Sequence, residues 1–201
     1  MQLRSFFRLS LSRVLLTFVF IAFLYSTGRF NFQNLYELAV ILVATYIIAS
    51  FVVIIVRGYR KFYLDSAVVF DLGGVVFSGE FYTEEIFMRP GFKELLRELR
   101  KNRLVGVCSN LNWEAYKLFE RKFGLDEIFD VKAVSGRYGV TKPNAKIYQM
   151  MLKELRVKAD KCVFVDDHEE NLPPAANLGI HAIQFRSVPE LREELKRLGF
   201  I

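Results

Sequence analysis

The stretch that most constrains this chain is SAVVFDLGGVVFSG, Ser66–Gly79. Ala67, Val68, Val69 and Phe70 form a short, unbroken, β-rich apolar run, which suits a strand buried on both faces of a parallel sheet. A lone carboxylate is not tolerated inside such a strand, so Asp71 is expected at its carboxyl end, the edge where open α/β sheets bind ligands. Gly73 and Gly74 then let the backbone turn sharply and approach a ligand closely. By itself the pattern also fits an ordinary aspartate closing a strand before a turn.

The same kind of strand recurs. Leu104–Asn110 (LVGVCSN) ends in Ser109, and Cys162–Asp167 (CVFVDD) ends in two carboxylates, Asp166 and Asp167. Between them, TKPNAKI (141–147) sets Lys142 just before a helix. Helical segments are expected at about 112–123, 144–156, 171–178 and 189–198. Another follows Pro90, read as a first-turn residue, where Phe92, Leu95, Leu96 and Leu99 form one apolar face. Further strands are expected at 130–134 and 181–185. Repeated β-α units predict an α/β fold, a Rossmann-like parallel sheet covered by helices.

Two apolar runs precede this region. Residues 9–27 reach spanning length but include Arg13, and a secretory leader is the competing reading. The segment 35–56 has Glu37 as its single charge, and Arg57, Arg60 and Lys61 follow it. The expected organisation is a membrane anchor over 1–61, a transmembrane helical hairpin with spans at about 9–27 and 35–56, then a globular domain over 62–201. Basic residues flank the outer ends, so the positive-inside rule puts both ends, and the domain, in the cytoplasm. The net charge is +6. Residues 1–66 carry +5 of it (seven Lys/Arg against Glu37 and Asp65), so the basic balance belongs to the anchor and no nucleic-acid partner is expected. Cys108 and Cys162 fall inside apolar strands and read as core residues.

In order and spacing, the motifs at Asp71, Ser109, Lys142 and Asp166–Asp167 resemble those of the haloacid dehalogenase superfamily, whose members are mostly phosphatases. The resemblance runs from Ala67 to about Phe185. It implies that Asp71 is the nucleophile, that Ser109, Asn110 and Lys142 hold the phosphoryl group, and that Mg²⁺ sits on Asp71, the Gly73 carbonyl, Asp166 and Asp167. Each also has a plainer reading: Ser109 or Asn110 as a helix cap, the acidic pair as a polar helix N-terminus, Lys142 as a surface lysine. Asn171 could orient the acidic loop, but capping its helix is the simpler role. His168 is expected in a solvent-facing loop, and Trp113 in packing.

One departure stands out. The family pattern has a second Asp, the general acid and base, where this chain has Gly73. That favours the alternative of a catalytically weak or inactive membrane scaffold that keeps the fold for binding. Asp71 to Ser109 spans 38 residues and Lys142 to Asp166 spans 24, each largely one helix, which leaves no room for a large cap. The expected site is open, roofed by a flap at Val75–Met88. In this family capless members tend to act on phosphoproteins or phospholipids, or close the site as a homo-oligomer. The expectation is an aspartyl-phosphate phosphohydrolase at the cytoplasmic membrane face, acting on a phospholipid, phosphoprotein or small phosphoester.

Overall fold

The computed structural model describes Val19, Phe23, residues 35–79 and residues 85–201. The expected first span lies outside the described residues apart from Val19 and Phe23, both helical. So does the centre of the flap, Glu80 to Glu84. The chain divides into two compact units, Met1–Tyr59 and Arg60–Ile201.

The main described element of the first unit is the helix α1, Leu35–Tyr63, whose last turn falls in the second unit. It continues past the apolar run because Arg57, Arg60 and Lys61 are adequate helix formers: charge ends hydropathy, not helicity. Val43, Ile47, Phe51 and Ile54 are exposed along it, while Thr45 returns its hydroxyl to the Ile41 carbonyl at 2.8 Å. Among the described residues no helix is long and apolar enough to cross a membrane. The side chains described in α1 are those of residues 40–52, 54–55 and 63.

The second unit is built on five parallel strands: β1 (Ala67–Phe70), β4 (Leu104–Ser109), β5 (Val131–Val134), β6 (Cys162–Asp166) and β7 (His181–Gln184). Their order is β5-β4-β1-β6-β7, with β1 central. Strand alternation divides the core. Val68 and Phe70 face one apolar cluster with α2 (Phe92–Leu99), α3 (Trp113–Phe123) and α8 (Val188–Arg197). Ala67 and Val69 face the other, with α6 (Ala145–Leu155) and α7 (Leu172–Ala176). Both cysteines are buried and free, and burial pushes the Cys162 thiol up to about 12. Short helices α4 (Leu125–Ile128) and α5 (Ser135–Tyr138) lie on either side of β5.

Local chemistry explains most element ends. Asn112 caps α3 by accepting from the Ala115 amide at 2.7 Å, and Gly124 ends it at φ 66°. Pro90, expected in the first helical turn, lies before α2, which opens at Phe92. The Arg89 amide is tied to the Val76 carbonyl at 2.9 Å, so residues 89–91 form the turn out of the flap. The helix expected at 171–178 is shortened to α7 because residues 169–171 form a 3₁₀ turn. The flap is an antiparallel pair, β2 (Phe77–Ser78) and β3 (Phe87–Met88), in which Phe77 faces Met88.

Candidate active site

Parallel strands deliver their carboxyl ends to one edge, and two carboxylates and a hydroxyl arrive there together. Asp71 follows β1 and its amide donates to Val165 on β6 at 2.9 Å. Ser109 ends β4 and Asp166 ends β6. The Lys142 ammonium enters between the carboxylates, 2.9 Å from Asp71 Oδ1 and 2.5 Å from Asp166 Oδ2. Lys142 is only 5% exposed, so the surface-lysine reading fails.

The electrostatics follow from burial. Desolvation pushes the Asp71 carboxyl above its ordinary value, opposed by the Lys142 charge and reinforced by Asp166. For Lys142 burial acts downward, but the Asp71 and Asp166 carboxylates together outweigh it and the ammonium is held above its usual range. Lysine therefore stays charged.

Asp166 is the best-anchored carboxylate. Its Oδ1 accepts from the His168 amide at 2.9 Å and from Asn171 Nδ2 at 3.1 Å. Asn171 makes no side-chain cap to α7, so it orients the acidic pair instead. Its own carbonyl accepts from the Tyr148 hydroxyl at 2.8 Å. His168 is exposed, as expected, with its ring 3.8 Å from Asp167 and 3.6 Å from Glu170. Trp113 packs, stacked on Tyr116 with centroids 5.2 Å apart.

Asn110 does something the sequence did not suggest. Its Oδ1 accepts from the Lys142 amide at 2.7 Å and its Nδ2 donates to the Lys142 carbonyl at 2.9 Å. The reciprocal pair fastens the lysine loop to the end of β4. Arg89 was also missed. It donates from Nε and Nη2 to the Gly74 carbonyl at 3.1 and 2.8 Å. Nothing in the sequence marks that contact, since it crosses from the flap to the turn after Asp71.

Carboxylate oxygens of Asp71, Asp166 and Asp167 lie within 4.8 Å of one another. Among the described residues one ammonium, that of Lys142, contacts this group of three carboxylates. Asp167 Oδ1 is buried yet accepts no hydrogen bond among the described residues. All-oxygen donors, excess negative charge and an unsatisfied buried oxygen fit Mg²⁺. Gly73 is half-buried beside them, bridged to Phe77.

Gly74 has φ 71°, and a Cβ there would stand 2.1 Å from Asp167 Oδ2. The acidic cluster is thus packed directly on the diglycine turn. Gly74→Ala should displace that carboxylate and strain the turn. We expect Mg²⁺ affinity to fall at least about tenfold, with a stability loss of about 1–2 kcal/mol, read by calorimetric titration and thermal melting. An unchanged affinity would show that Asp167 lies outside the metal site.

Residues 80–179 match the family model of haloacid dehalogenase-like hydrolases. That match covers 100 of the 201 residues, and over it the globular unit is similar to the haloacid dehalogenase-like hydrolases. A solved haloacid dehalogenase superfamily hydrolase from Ehrlichia chaffeensis superposes with TM-score 0.58 at 16% identity, covering 67% of this chain and 98% of that one. A family enzyme from Bacteroides thetaiotaomicron, an Asp-to-Ala mutant crystallised with magnesium and inorganic phosphate, superposes at 0.54 with 16% identity, covering 61% and 95%. Among curated sequences, drimenol cyclase from Aspergillus calidoustus is 27% identical over 57% of this chain and 22% of its own length. The chain spans between 7% and 22% of the first three curated relatives it matches.

Proposed function

We propose that the chain is a Mg²⁺-dependent phosphohydrolase in which Asp71 is the nucleophile. The observation that carries this reading is the buried Lys142 ammonium held between Asp71 and Asp166 at the carboxyl edge of the sheet. A bare acidic cluster binds cations. A lysine built into it adds the positive charge that a transferring phosphoryl group requires. When bound, Mg²⁺ supplies further charge neutralisation for the phosphoryl oxygens. The Asp71 carboxylate attacks phosphorus, the bond to the leaving oxygen breaks, and an aspartyl-phosphate forms. Lys142 and the Ser109 hydroxyl hold equatorial oxygens. Water then attacks phosphorus, releasing phosphate and restoring Asp71.

Gly73 offers no proton to the leaving oxygen and no base to the incoming water. That observation favours a second reading, a scaffold that binds phosphorylated ligands without turning them over. Phosphate release from aryl, alkyl and lipid phosphoesters, with Mg²⁺ and with chelator, separates the two. Metal-dependent release is expected, and binding without release would favour the scaffold. Gly73→Asp sharpens the comparison. It should raise kcat/KM for alkyl phosphates by up to about 10²-fold, while aryl phosphates, whose leaving groups need no acid, change little. An equal rise for both classes would mean that the new carboxylate acts through charge alone.

The reading also places the hydrolase at a membrane, on the cytoplasmic side. It is supported by the apolar 35–56 run with its single Glu37, by the basic residues after it, and by the exposed apolar side chains of α1. A site with no large cap domain among the described residues suits a phosphorylated lipid or protein. The full chain should stay in the membrane pellet after alkaline carbonate extraction. Release into the supernatant would remove the anchor.

A further inference from the structure

We propose that Arg89 is a positioning residue that locks the diglycine turn after Asp71 and so sets the Mg²⁺ affinity of the acidic cluster, an inference that rests on the metal-dependent reading above. The turn is the most permissive backbone of the site: two glycines, the second at φ 71°. Left to itself such a segment samples many conformations. Arg89 removes that freedom from outside. Nε and Nη2 both reach the single Gly74 carbonyl, at 3.1 and 2.8 Å. Arginine is suited to this, because its planar fork directs two donors at one acceptor and stays charged at every working pH.

The guanidinium is itself held. The Phe185 ring, at the end of β7, lies 5.4 Å from it, and the Arg89 amide donates to Val76 at 2.9 Å. One residue therefore joins the flap, the nucleophile turn and the far strand of the sheet. The consequence for the metal comes through Gly74. The space its missing side chain leaves is filled by the Asp167 carboxylate, and three residues earlier the same turn begins at Asp71. If Gly74 moves, the spacing of Asp71 and Asp167 moves with it. Groups that orient metal ligands without touching the metal change affinity by about 10- to 100-fold when lost.

A staple that only holds the fold would also lower stability, so the test separates the two. Mg²⁺ dissociation constants and metal-free melting temperatures of the full chain are compared for wild type, Arg89→Met, Arg89→Lys and Leu99→Ala. Leu99 is buried in α2 just before the amino end of β4, so its truncation lowers the melting temperature away from the site. Arg89→Met, which keeps bulk but cannot donate, should weaken Mg²⁺ binding about tenfold or more. Arg89→Lys, with a single-point donor, should fall between it and wild type, and Leu99→Ala should stay within about twofold of wild type. A lower melting temperature for Arg89→Met with Mg²⁺ affinity unchanged would overturn the proposal. So would an equal loss of affinity in Leu99→Ala. If Arg89→Met fails to fold, Arg89→Lys decides by the same ratio. A wild type that binds Mg²⁺ but hydrolyses no phosphoester removes the phosphohydrolase reading alone, and the affinity ratio still decides this one. A wild type that binds no Mg²⁺ overturns both.

Discussion

Asp71→Asn is expected to remove turnover while leaving the fold standing. The amide keeps the shape and the backbone contact to Val165, but it is not a nucleophile, so the reaction loses its first bond-forming step. A loss of roughly 10³-fold or more is expected, equivalent to about 4 kcal/mol of transition-state stabilisation. Stability should move by no more than about 1 kcal/mol, because the substitution relieves the Asp71–Asp166 repulsion and Lys142 keeps Asp166 as partner. Initial rates at saturating Mg²⁺, with thermal melting of the same samples, check both halves. Turnover surviving within about tenfold of wild type would assign the nucleophile elsewhere.

Lys142→Met should be the most destabilising single change at the site. It leaves two buried carboxylates, Asp71 and Asp166, facing each other without the cation between them. Removing one partner of a buried ion pair costs about 3–5 kcal/mol. The pH dependence has a definite sign. Asp71 already titrates above its ordinary value in the folded chain, so over that window the folded state binds more protons than the unfolded one and stability falls as pH rises. Without Lys142 the effect grows. The metal-free variant should regain stability on acidification through the carboxylate range and lose it again toward neutrality, as read from denaturant midpoints. A variant as stable as wild type at neutral pH would mean that Lys142 is solvated and not part of the cluster.

Much of the fold was legible because buried parallel strands have a plain signature. β1, β4 and β6 read as unbroken apolar runs, and the polar residue that stops each run is the one at the ligand edge: Asp71, Ser109, Asp166. Helices with one apolar face, such as α2, were legible for the same reason of periodicity. What escaped has no period. Two-residue strands such as β2 and β3 carry no alternation to read. The Pro90 turn depends on an amide contact to Val76 that only the folded chain makes. The burial of Lys142, the Asn110 clasp on its backbone and the reach of Arg89 to Gly74 are all contacts between loops that the sheet brings together from distant sequence. For Asn171 the sequence left two roles open, a helix cap and an orienting contact to the acidic loop, and the position of Asp166 Oδ1 decides for the second.

The missing carboxylate at Gly73 gives the central claim its sharpest test. With a good leaving group, forming the aspartyl-phosphate needs no acid, but breaking it down still lacks the base that would activate water. The intermediate should therefore accumulate. Rapid mixing of the chain with an aryl phosphate in Mg²⁺ should release a burst of phenolate close to one equivalent per site, followed by slow steady turnover. The burst should be absent in Asp71→Asn and in chelator, and should shrink in Gly73→Asp. Linear release from the first turnover in wild type, or a burst of the same size in Asp71→Asn, would contradict a covalent intermediate on Asp71.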